Sequence, residues 1–320
     1  FQTKTIVLGF LLAVYPLAQF FGAPLLGALS DRHGRKKVLM LSIFGSLLGY
    51  MLFAVAIMMG NIPLLFFSRI LAGFTGGNIA VVQSAIADVS DAKSRAKNFG
   101  LMGMAFGFGF ILGPYVGGKL ADNSIIPWFS YATPFWFAAV LSLINLILVV
   151  LIFQETLKVK IHKPLTLLTG FQNIHKAFSL KKLRTLFWVI FLLTLGFNFF
   201  TQFSPLFLIE KFAFDESQVG TIFGYVGLWI AITQGFIMRP VAKRFSSEEV
   251  LKFAPFLLAI ALLLLVFPKS SFWLWFIFPL VSIFQGLTYP NYTAVVSNLS
   301  DEASQGEILG INQSVQSLAM

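Results

Sequence analysis

The chain has 320 residues, of which 57% are hydrophobic and only 11% charged, and its mean hydropathy is +0.83. A soluble globular domain carries about a quarter of its residues as charged side chains, so this composition excludes that class and indicates a membrane protein with several spans. The net charge of +10 would suit a nucleic-acid ligand. The basic residues, however, gather in a few connections between apolar segments, which assigns the charge to membrane topology and gives no reason to expect a nucleic-acid partner.

Two further function classes are excluded by residue types. The sequence has no cysteine, which rules out disulfides and thiolate metal sites within it, and its three histidines fall in predicted loops. No nucleophile–base pair or metal-ligating cluster is recognisable. We therefore expect no metal, no cofactor and no enzymatic activity.

Apolar segments long enough to cross a membrane as helices recur along the whole chain. The pattern predicts ten spans, at 6–26, 38–59, 62–87, 96–121, 132–153, 185–209, 218–239, 250–267, 272–297 and 305–320. Basic residues occur in alternate connections, such as 32–37 and 239–244, which predicts that these connections are cytoplasmic. Because the chain starts at Phe1 without an initiator methionine and the last span stops at Met320, we expect it to be cropped at both ends.

The first connection carries a dense charged motif, G-A-L-S-D-R-H-G-R-K-K-V-L, at 27–39. So short a connection between two helices has to be tight, and Gly27 and Gly34 permit close approach and unusual backbone angles. Arg32 and Arg35 help to hold the loop on the cytoplasmic side. That role leaves the acid in the motif, Asp31, without an explanation.

Asp31 is a short anion at a helix boundary, where it can face the positive N-terminal end of another helix. The sequence offers such an end on the same side, in the helix that begins near Gln305 and Gly306. Arg35 can pair with Asp88, which ends the 62–87 span. We predict both contacts, and with them a charge lock between the two halves of the chain in one conformation.

The 62–87 span contains an intramembrane cation, Arg69, about seven residues from its outer end. A charge at that depth is costly and marks a functional candidate. Snorkelling of the side chain to the outer interface is the alternative. Arg69 shares a helix face with Gly73, Gly77, Ser84 and Asp88, because they follow one another at steps of three or four residues.

The 96–121 span carries a glycine motif that ends in G-P-x-x-G-G. Glycines four residues apart let helices pack backbone to backbone, and the proline permits a bend. Generic packing would account for single glycine pairs but not for the whole run. The residues of this motif are Gly100, Gly109, Gly113, Pro114, Gly117 and Gly118.

Uncharged polar residues within the spans are few, and several recur four residues apart, on one helix face. In lipid they must find partners, so they either hydrogen-bond between helices or line a substrate cavity at the membrane midplane. The candidates for the cavity are Tyr15, Gln19, Asn198, Gln202, Gln234, Gln285, Tyr289, Asn312 and Gln316.

The chain divides into two halves that resemble each other. Residues 90–100 align with 300–310 at an offset of about 210 residues, and both segments fall on the cytoplasmic side. Matching orientation predicts parallel repeats about an axis along the membrane normal. We expect an N-terminal bundle at 1–153, a cytoplasmic linker with an amphipathic helix at 154–184, and a C-terminal bundle at 185–320.

Three motifs together resemble a known family. The 27–39 motif resembles the connection between the second and third helices of the major facilitator superfamily, and every fixed position agrees. The S-R-I-L-A-G segment at 68–73 resembles its fourth helix. The 100–118 motif resembles the fifth helix of its proton-coupled drug exporters, and 7–118 look most like the tetracycline and multidrug efflux proteins.

The resemblance implies an all-α membrane protein with the major facilitator fold, in which two parallel, pseudo-symmetric helix bundles rock about a central site. It equates 1–153 with family helices two to six, and 185–320 with helices seven to eleven, the last of them truncated. The first family helix, which in related exporters often carries the proton-coupling acid, would then be absent.

The resemblance favours proton-coupled export of small amphipathic organic compounds or drugs by alternating access, in a multi-pass protein of the bacterial inner membrane. The expected partners are a small-molecule substrate, protons and the lipid bilayer, and the expected oligomeric state is a monomer. A proton symporter that imports a metabolite or siderophore is an alternative with the same fold. A non-transporting membrane receptor or scaffold is an alternative of another class.

Overall fold

The computed structural model describes residues 2–91, 94–158, 179, 181–299 and 305–320, and within these ranges it contains helices but no strands. In chain order the helices are α1 (Gln2–His33), α2 (Arg35–Met59), α3 (Ile62–Gly76), α4 (Ile79–Asp88), α5 (Arg95–Ala121), α6 (Thr133–Leu151), α7 (Lys181–Phe212), α8 (Glu216–Ile232), α9 (Met238–Arg244), α10 (Ser247–Leu264), α11 (Leu274–Asn298) and α12 (Gln305–Leu318). A π-helical segment, Thr233–Ile237, joins α8 to α9, and a short 3₁₀ turn, Ser271–Trp273, precedes α11.

Each of the ten predicted spans coincides with helical structure. Within the described part of the chain, seven helical stretches are long and apolar enough to cross a membrane. The other three predicted spans correspond to α5, α10 and α12. Most of the predicted linker helix, at 159–178 and 180, lies outside the described residues.

The third predicted span, 62–87, matches a single membrane-crossing stretch, Ile62–Asp88, in which a two-residue turn separates α3 from α4. α3 ends at Gly76 and α4 begins at Ile79. A side chain at Gly77 would collide with the backbone of α1, since a Cβ there would lie 2.5 Å from the amide nitrogen of Ala23. The turn between α3 and α4 therefore lies in close contact with α1, at a point that periodicity alone does not reveal.

By contacts, the chain forms two compact units, and unit 1 consists of Phe1–Val89, Gly117–Thr194 and Leu299–Met320. In this unit α1 packs along α12 and α3, α2 packs on α3 and α6, and α4 also contacts α12. An apolar cluster joins α1, α2 and α4 through Leu26, Val38, Leu39, Ile43 and Val81.

Unit 2 consists of Ser90–Val116 and Leu195–Asn298. Here α11 packs on α8 and α10, around an apolar cluster that includes Leu208, Ile222, Leu258, Leu274 and Phe278. α10 begins with a capping box, in which Ser246 and Glu249 exchange side-chain and backbone hydrogen bonds. The bond from the backbone N–H of Ser246 holds the pKa of the Glu249 carboxyl below its usual value.

The two units do not follow the predicted chain order. Unit 1 takes in Leu299–Met320 from the C-terminal end, and unit 2 takes in Ser90–Val116 from the first half. A compact unit groups residues by contact, whereas the bundles predicted at 1–153 and 185–320 were inferred from a sequence repeat. That division into bundles stays a prediction.

Candidate functional site

The charged motif begins at the junction of α1 and α2, where Gly34 is the single residue between the two helices. Its φ of 102° lies in the region that side-chain-bearing residues rarely adopt. Its N–H donates to the carbonyl of Ser30 at 3.0 Å, and this bond closes the end of α1. Glycine at this position therefore allows a turn tight enough to bring Asp31 and Arg35 together across the junction.

Asp31 lies against the N-terminus of α12, as the sequence predicts. Its Oδ1 accepts a hydrogen bond from the backbone N–H of Gly306 at 2.9 Å, and its Oδ2 accepts from the N–H of Glu307 at 2.8 Å. The first N–H groups of a helix have no partner within the helix, and the helix dipole makes that end positive. Asp31, only 3% exposed, thus caps a helix 275 residues further along the chain.

Arg35 is fully buried and bridges two acids. Its Nη1 donates to Asp31 Oδ1 at 2.5 Å and to Ser30 Oγ at 2.6 Å, and its Nε donates to Asp88 Oδ2 at 2.9 Å. Thr156 Oγ1 donates to the same Asp88 oxygen at 3.0 Å. The predicted Arg35–Asp88 contact is therefore present, and every partner of the guanidinium is polar or charged.

The three charged side chains, one cation between two carboxylates, carry a net charge of −1. A buried ion pair is costly to desolvate unless its geometry is good and its remaining hydrogen-bonding groups are satisfied. Here the excess negative charge of Asp31 meets the positive end of α12, which supplies two N–H donors. The excess negative charge of the network is thus compensated only while the N-terminus of α12 is docked on Asp31.

A third acid, Glu155, joins the site and was missed by the sequence reasoning. Its Oε1 accepts from the backbone N–H of Arg35 at 2.9 Å, and its Oε2 accepts from that of Lys36 at 3.2 Å, so it caps the N-terminus of α2. The available signal was indirect. α2 starts after Gly34, which has no side chain that could cap the helix, so the first N–H groups of α2 need an acceptor from another segment.

α1 and α12 touch through their backbones beside this network. A Cβ at Gly27 would overlap the carbonyl oxygen of Gly306, and a Cβ at Gly306 would overlap that of Gly27. One turn further on, a Cβ at Gly310 would lie 2.7 Å from the Cα of Pro24. Glycine is therefore required on both helices for Asp31 to reach the end of α12. Arg32, by contrast, is exposed.

Unit 2 has a charged helix cap of the opposite sign. Nη1 of Arg95, the first residue of α5, donates to the carbonyl of Ser297 at 3.3 Å and to Asn298 Oδ1 at 2.7 Å. These acceptors lie at the C-terminus of α11, which is the negative end of a helix dipole. The sequence reasoning did not single out Arg95, because a basic residue beside a span already had an explanation in topology.

Arg69 is half-buried on α3, with its guanidinium carbon 4.4 Å from the ring centroid of Phe53. Its Nε has no hydrogen-bond partner among the described residues. Nearby on the same helix, a Cβ at Gly73 would overlap the carbonyl of Tyr15, and a Cβ at Gly76 would lie 2.5 Å from the Tyr15 hydroxyl. α1 and α3 thus approach closely beside a cation stacked on an aromatic ring.

The glycine motif of α5 differs from its prediction. In the described structure a Cβ at Gly109, Gly113, Gly117 or Gly118 would meet no atom of another element within 4 Å, so the expected close helix contact is not found there. The side chain of Pro114 lies outside the described atoms. The close contacts occur instead at Gly100, Gly103 and Gly107.

Helix geometry explains the difference at Gly109. A Cβ at Gly100 or Gly103 would lie 2.7 or 2.6 Å from the side-chain amide of Gln234, and a Cβ at Gly107 would lie 3.1 Å from the carbonyl of Gly227. Gly109 follows Gly100 by nine residues, which in an α-helix places it about 180° away, on the opposite face. Glycines four residues apart predict a helix face without side chains. They do not reveal which such face contacts a neighbouring helix.

The candidate cavity residues have different environments. In unit 1, Gln19 is buried and fully bonded, with Nε2 donating to the carbonyl of Gly76 at 3.0 Å and Oε1 accepting from Ser317 Oγ at 3.1 Å. Asn312 and Gln316 are also buried, whereas Tyr15 is half-buried.

In unit 2, the amide of Gln234 is buried and its Nε2 donates to the carbonyl of Gly286 at 2.7 Å. Asn198, Gln285 and Tyr289 are half-buried, and Gln202 is exposed. Gln19 and Gln234 therefore hydrogen-bond between helices, which was one of the two alternatives expected for such residues.

Comparison with known proteins agrees with this architecture. The sequence profile described as Major Facilitator Superfamily matches residues 1–320. The chain is 32% identical to the class C tetracycline resistance protein of Escherichia coli, over 97% of this chain and 76% of that protein. It is 27% identical to the quinolone resistance protein NorA of Staphylococcus aureus, over 97% of this chain and 77% of that protein. The fold resembles the crystal structure of the human organic anion transporter MFSD10 with a TM-score of 0.85 at 24% identity, covering 97% and 75% of the two chains.

Proposed function

The chain belongs to the major facilitator superfamily, and we propose that this multi-pass membrane transporter exports small amphipathic organic compounds in exchange for protons. Two of its relatives are named for resistance to tetracycline and to quinolones, and both occur in bacteria. Export of such drugs through a bacterial inner membrane would produce resistance of this kind. We further propose that a monomer is the working unit.

The buried network of Asp31, Arg35 and Asp88 is the observation that supports an alternating-access mechanism. A charged network that exists only to stabilise a helix end would gain little from complete burial, because desolvation cancels much of the Coulombic attraction. A lock must hold in one conformation and release in another. It therefore benefits from charged contacts that all break together. In this proposal, Asp31 holds α12 on α1 while the cytoplasmic side is closed, and its release opens that side.

Substrate would bind among amides and phenols that are accessible within the spans. The half-buried or exposed candidates, Asn198, Gln202, Gln285 and Tyr289, lie on helices rich in phenylalanine. Such a site would suit amphipathic compounds and give broad selectivity, since apolar contact supplies most of the affinity and a few polar groups set orientation. Arg69, a costly charge within a span, is proposed as a further functional group.

Efflux from cells tests the proposal directly. The full-length protein is expressed in a bacterial strain that lacks its own drug exporters, and accumulation of tetracycline, norfloxacin and ethidium is measured with and without a protonophore. We expect lower accumulation of at least one compound, and loss of that difference when the proton gradient is collapsed. Equal accumulation in expressing and empty-vector cells would contradict export, and an unchanged difference after protonophore would contradict proton coupling.

A matched pair of variants connects export to the lock. Arg35→Gln removes the buried cation that bridges two acids, whereas Lys37→Gln removes an exposed cation two residues away. We expect Arg35→Gln to reduce efflux at equal protein levels and Lys37→Gln to leave it near the wild-type rate. Equal effects of the two substitutions would indicate that only the charge of the loop matters.

A further inference from the structure

Three amide side chains cluster on the second half of α12, namely Asn312, Gln313 and Gln316, here called the α12 amide cluster. All three are buried, and Asn312 is 0% exposed. The surrounding residues 308–320 carry no ionisable side chain. The cluster therefore presents neutral hydrogen-bonding groups inside a helix pair of a membrane protein, where water is scarce.

Asn312 is distinctive because neither atom of its side-chain amide has a hydrogen-bond partner among the described residues. The Oε1 of Gln313 also has none. Other buried amides keep at least one bond: both ends of Gln19 are bonded, Asn291 Nδ2 donates to the carbonyl of Leu287 at 2.7 Å, and Gln234 donates through Nε2 although its Oε1 has no partner among the described residues. Buried polar groups nearly always find a partner, and an exception in a native structure calls for an explanation, of which a ligand-binding role is one.

The way α12 is held makes the cluster accessible in a second state. Its N-terminus is capped by Asp31, its glycines touch the backbone of α1, and Ser314 Oγ donates to the carbonyl of Phe20 at 2.7 Å. These are hydrogen bonds and contacts between small residues, and water that enters as the helices separate can take over the hydrogen bonds. Release of Asp31 would therefore open a seam lined by the α12 amide cluster.

We propose that Asn312 is a substrate-binding residue, which receives a neutral group with a hydrogen-bond donor beside an acceptor, such as a primary carboxamide, once α12 moves away from α1. Its Oδ1 would accept from the N–H of that group while its Nδ2 donates to the C=O. Gln313 Oε1 is a second acceptor within the same cluster. The inference rests on the proposed export function and specifies one chemical feature of the substrate.

The test compares two probes that differ only in this feature. Tetracycline carries a primary carboxamide, and its analogue with a nitrile in that position has no donor there. Equilibrium binding of both compounds is measured on the purified full-length protein in nanodiscs, for wild type, Asn312→Leu and Asn291→Leu.

Asn291 is the matched control, because it is a buried asparagine whose Nδ2 is already bonded to the backbone. Asn312→Ser, in a helix that already carries Ser314 and Ser317, covers the case in which leucine prevents folding.

We expect wild type to bind the carboxamide about tenfold more tightly than the nitrile, since the nitrile has no N–H to donate to Asn312 Oδ1. The ratio should fall close to one in both Asn312 variants and stay near tenfold in Asn291→Leu. The ratio of the two affinities is taken within each protein preparation, so differences between variants in the fraction of folded protein cancel. A wild type that shows no preference, or binds neither compound, would overturn the inference, as would an unchanged ratio in the Asn312 variants. Binding needs no transport, so preserved preference without export would contradict the proposed function alone.

Discussion

Replacing Asp31 by asparagine tests the lock at its most specific contact. The substituted amide keeps the size of the side chain and one acceptor oxygen, but its NH₂ group must face either the N–H of Glu307 or the guanidinium of Arg35. At least one charge-assisted hydrogen bond is lost, at about 1.5–3 kcal/mol, together with one of the two acids paired with Arg35.

Arg35 retains Asp88, so the loss is smaller than the roughly 3–5 kcal/mol typical of a buried charge left unpaired. We estimate a total of about 3 kcal/mol against the docked state of α12, which is roughly a 150-fold change in the equilibrium.

Cysteine labelling measures that equilibrium, because the chain contains no cysteine of its own. Leu309→Cys places a thiol on a fully buried position of α12, and Leu318→Cys places one on a position that is 61% exposed on the same helix. If opening is fast relative to labelling, the rate at position 309 follows the open population. In the Asp31→Asn background we expect N-ethylmaleimide to label position 309 about a hundred times faster, with little change at 318.

A small effect would refute the reasoning. If labelling at position 309 rises less than about threefold in Asp31→Asn, with unchanged transport, the carboxylate does not hold α12 in the way its hydrogen bonds indicate. Asp122→Asn, at an exposed acid outside the network, serves as the control for general effects of removing a negative charge.

Four further predictions follow from the contacts. Arg35→Lys keeps the charge but cannot reach two acids at once, so efflux should fall at least tenfold in vesicles with equal protein content. Gly306→Val places a side chain against the backbone of α1 and should raise labelling at position 309 as much as Asp31→Asn does. Glu155→Gln keeps an acceptor for the N-terminus of α2 but loses its charge, and should lower the melting temperature by a few degrees, corresponding to about 1 kcal/mol. In α5, Gly103→Leu should reduce the yield of folded protein because its side chain would displace Gln234, whereas Gly113→Leu should not. Size-exclusion profiles of the two variants provide the comparison, and equal yields would contradict the assignment of the packed face. Transport by the Gly113 variant is a separate measurement of the motif's function.

The charged site could be predicted in part from sequence. Asp31 was an acid without an explanation in topology, and only a helix N-terminus on the same side offered it a complement, so its contact with Gly306 followed from electrostatics. Arg35 and Asp88 followed by the same reasoning. Glu155 could not be predicted, because it belongs to a segment 120 residues away and any acid near a helix end would have served as well.

Composition and periodicity determined the class of this protein. Alternation of apolar segments with basic loops is imposed by the bilayer itself, because hydrocarbon excludes charge and requires helices of a minimum length. The sequence therefore predicted the all-helical fold, the membrane location and ten helical segments, seven of which are long and apolar enough in the described structure to cross a membrane. What only the tertiary structure decided is which face of each helix meets which neighbour. Glycines of α5 look alike in sequence, yet a Cβ at Gly103 would lie 2.6 Å from the amide of Gln234 while a Cβ at Gly113 would meet nothing in the described structure. Likewise, Gln19 is satisfied by α3 and α12 while Asn312 is left unsatisfied among the described residues. Such choices depend on distances of a few ångströms between segments far apart in the chain, and no local pattern encodes them.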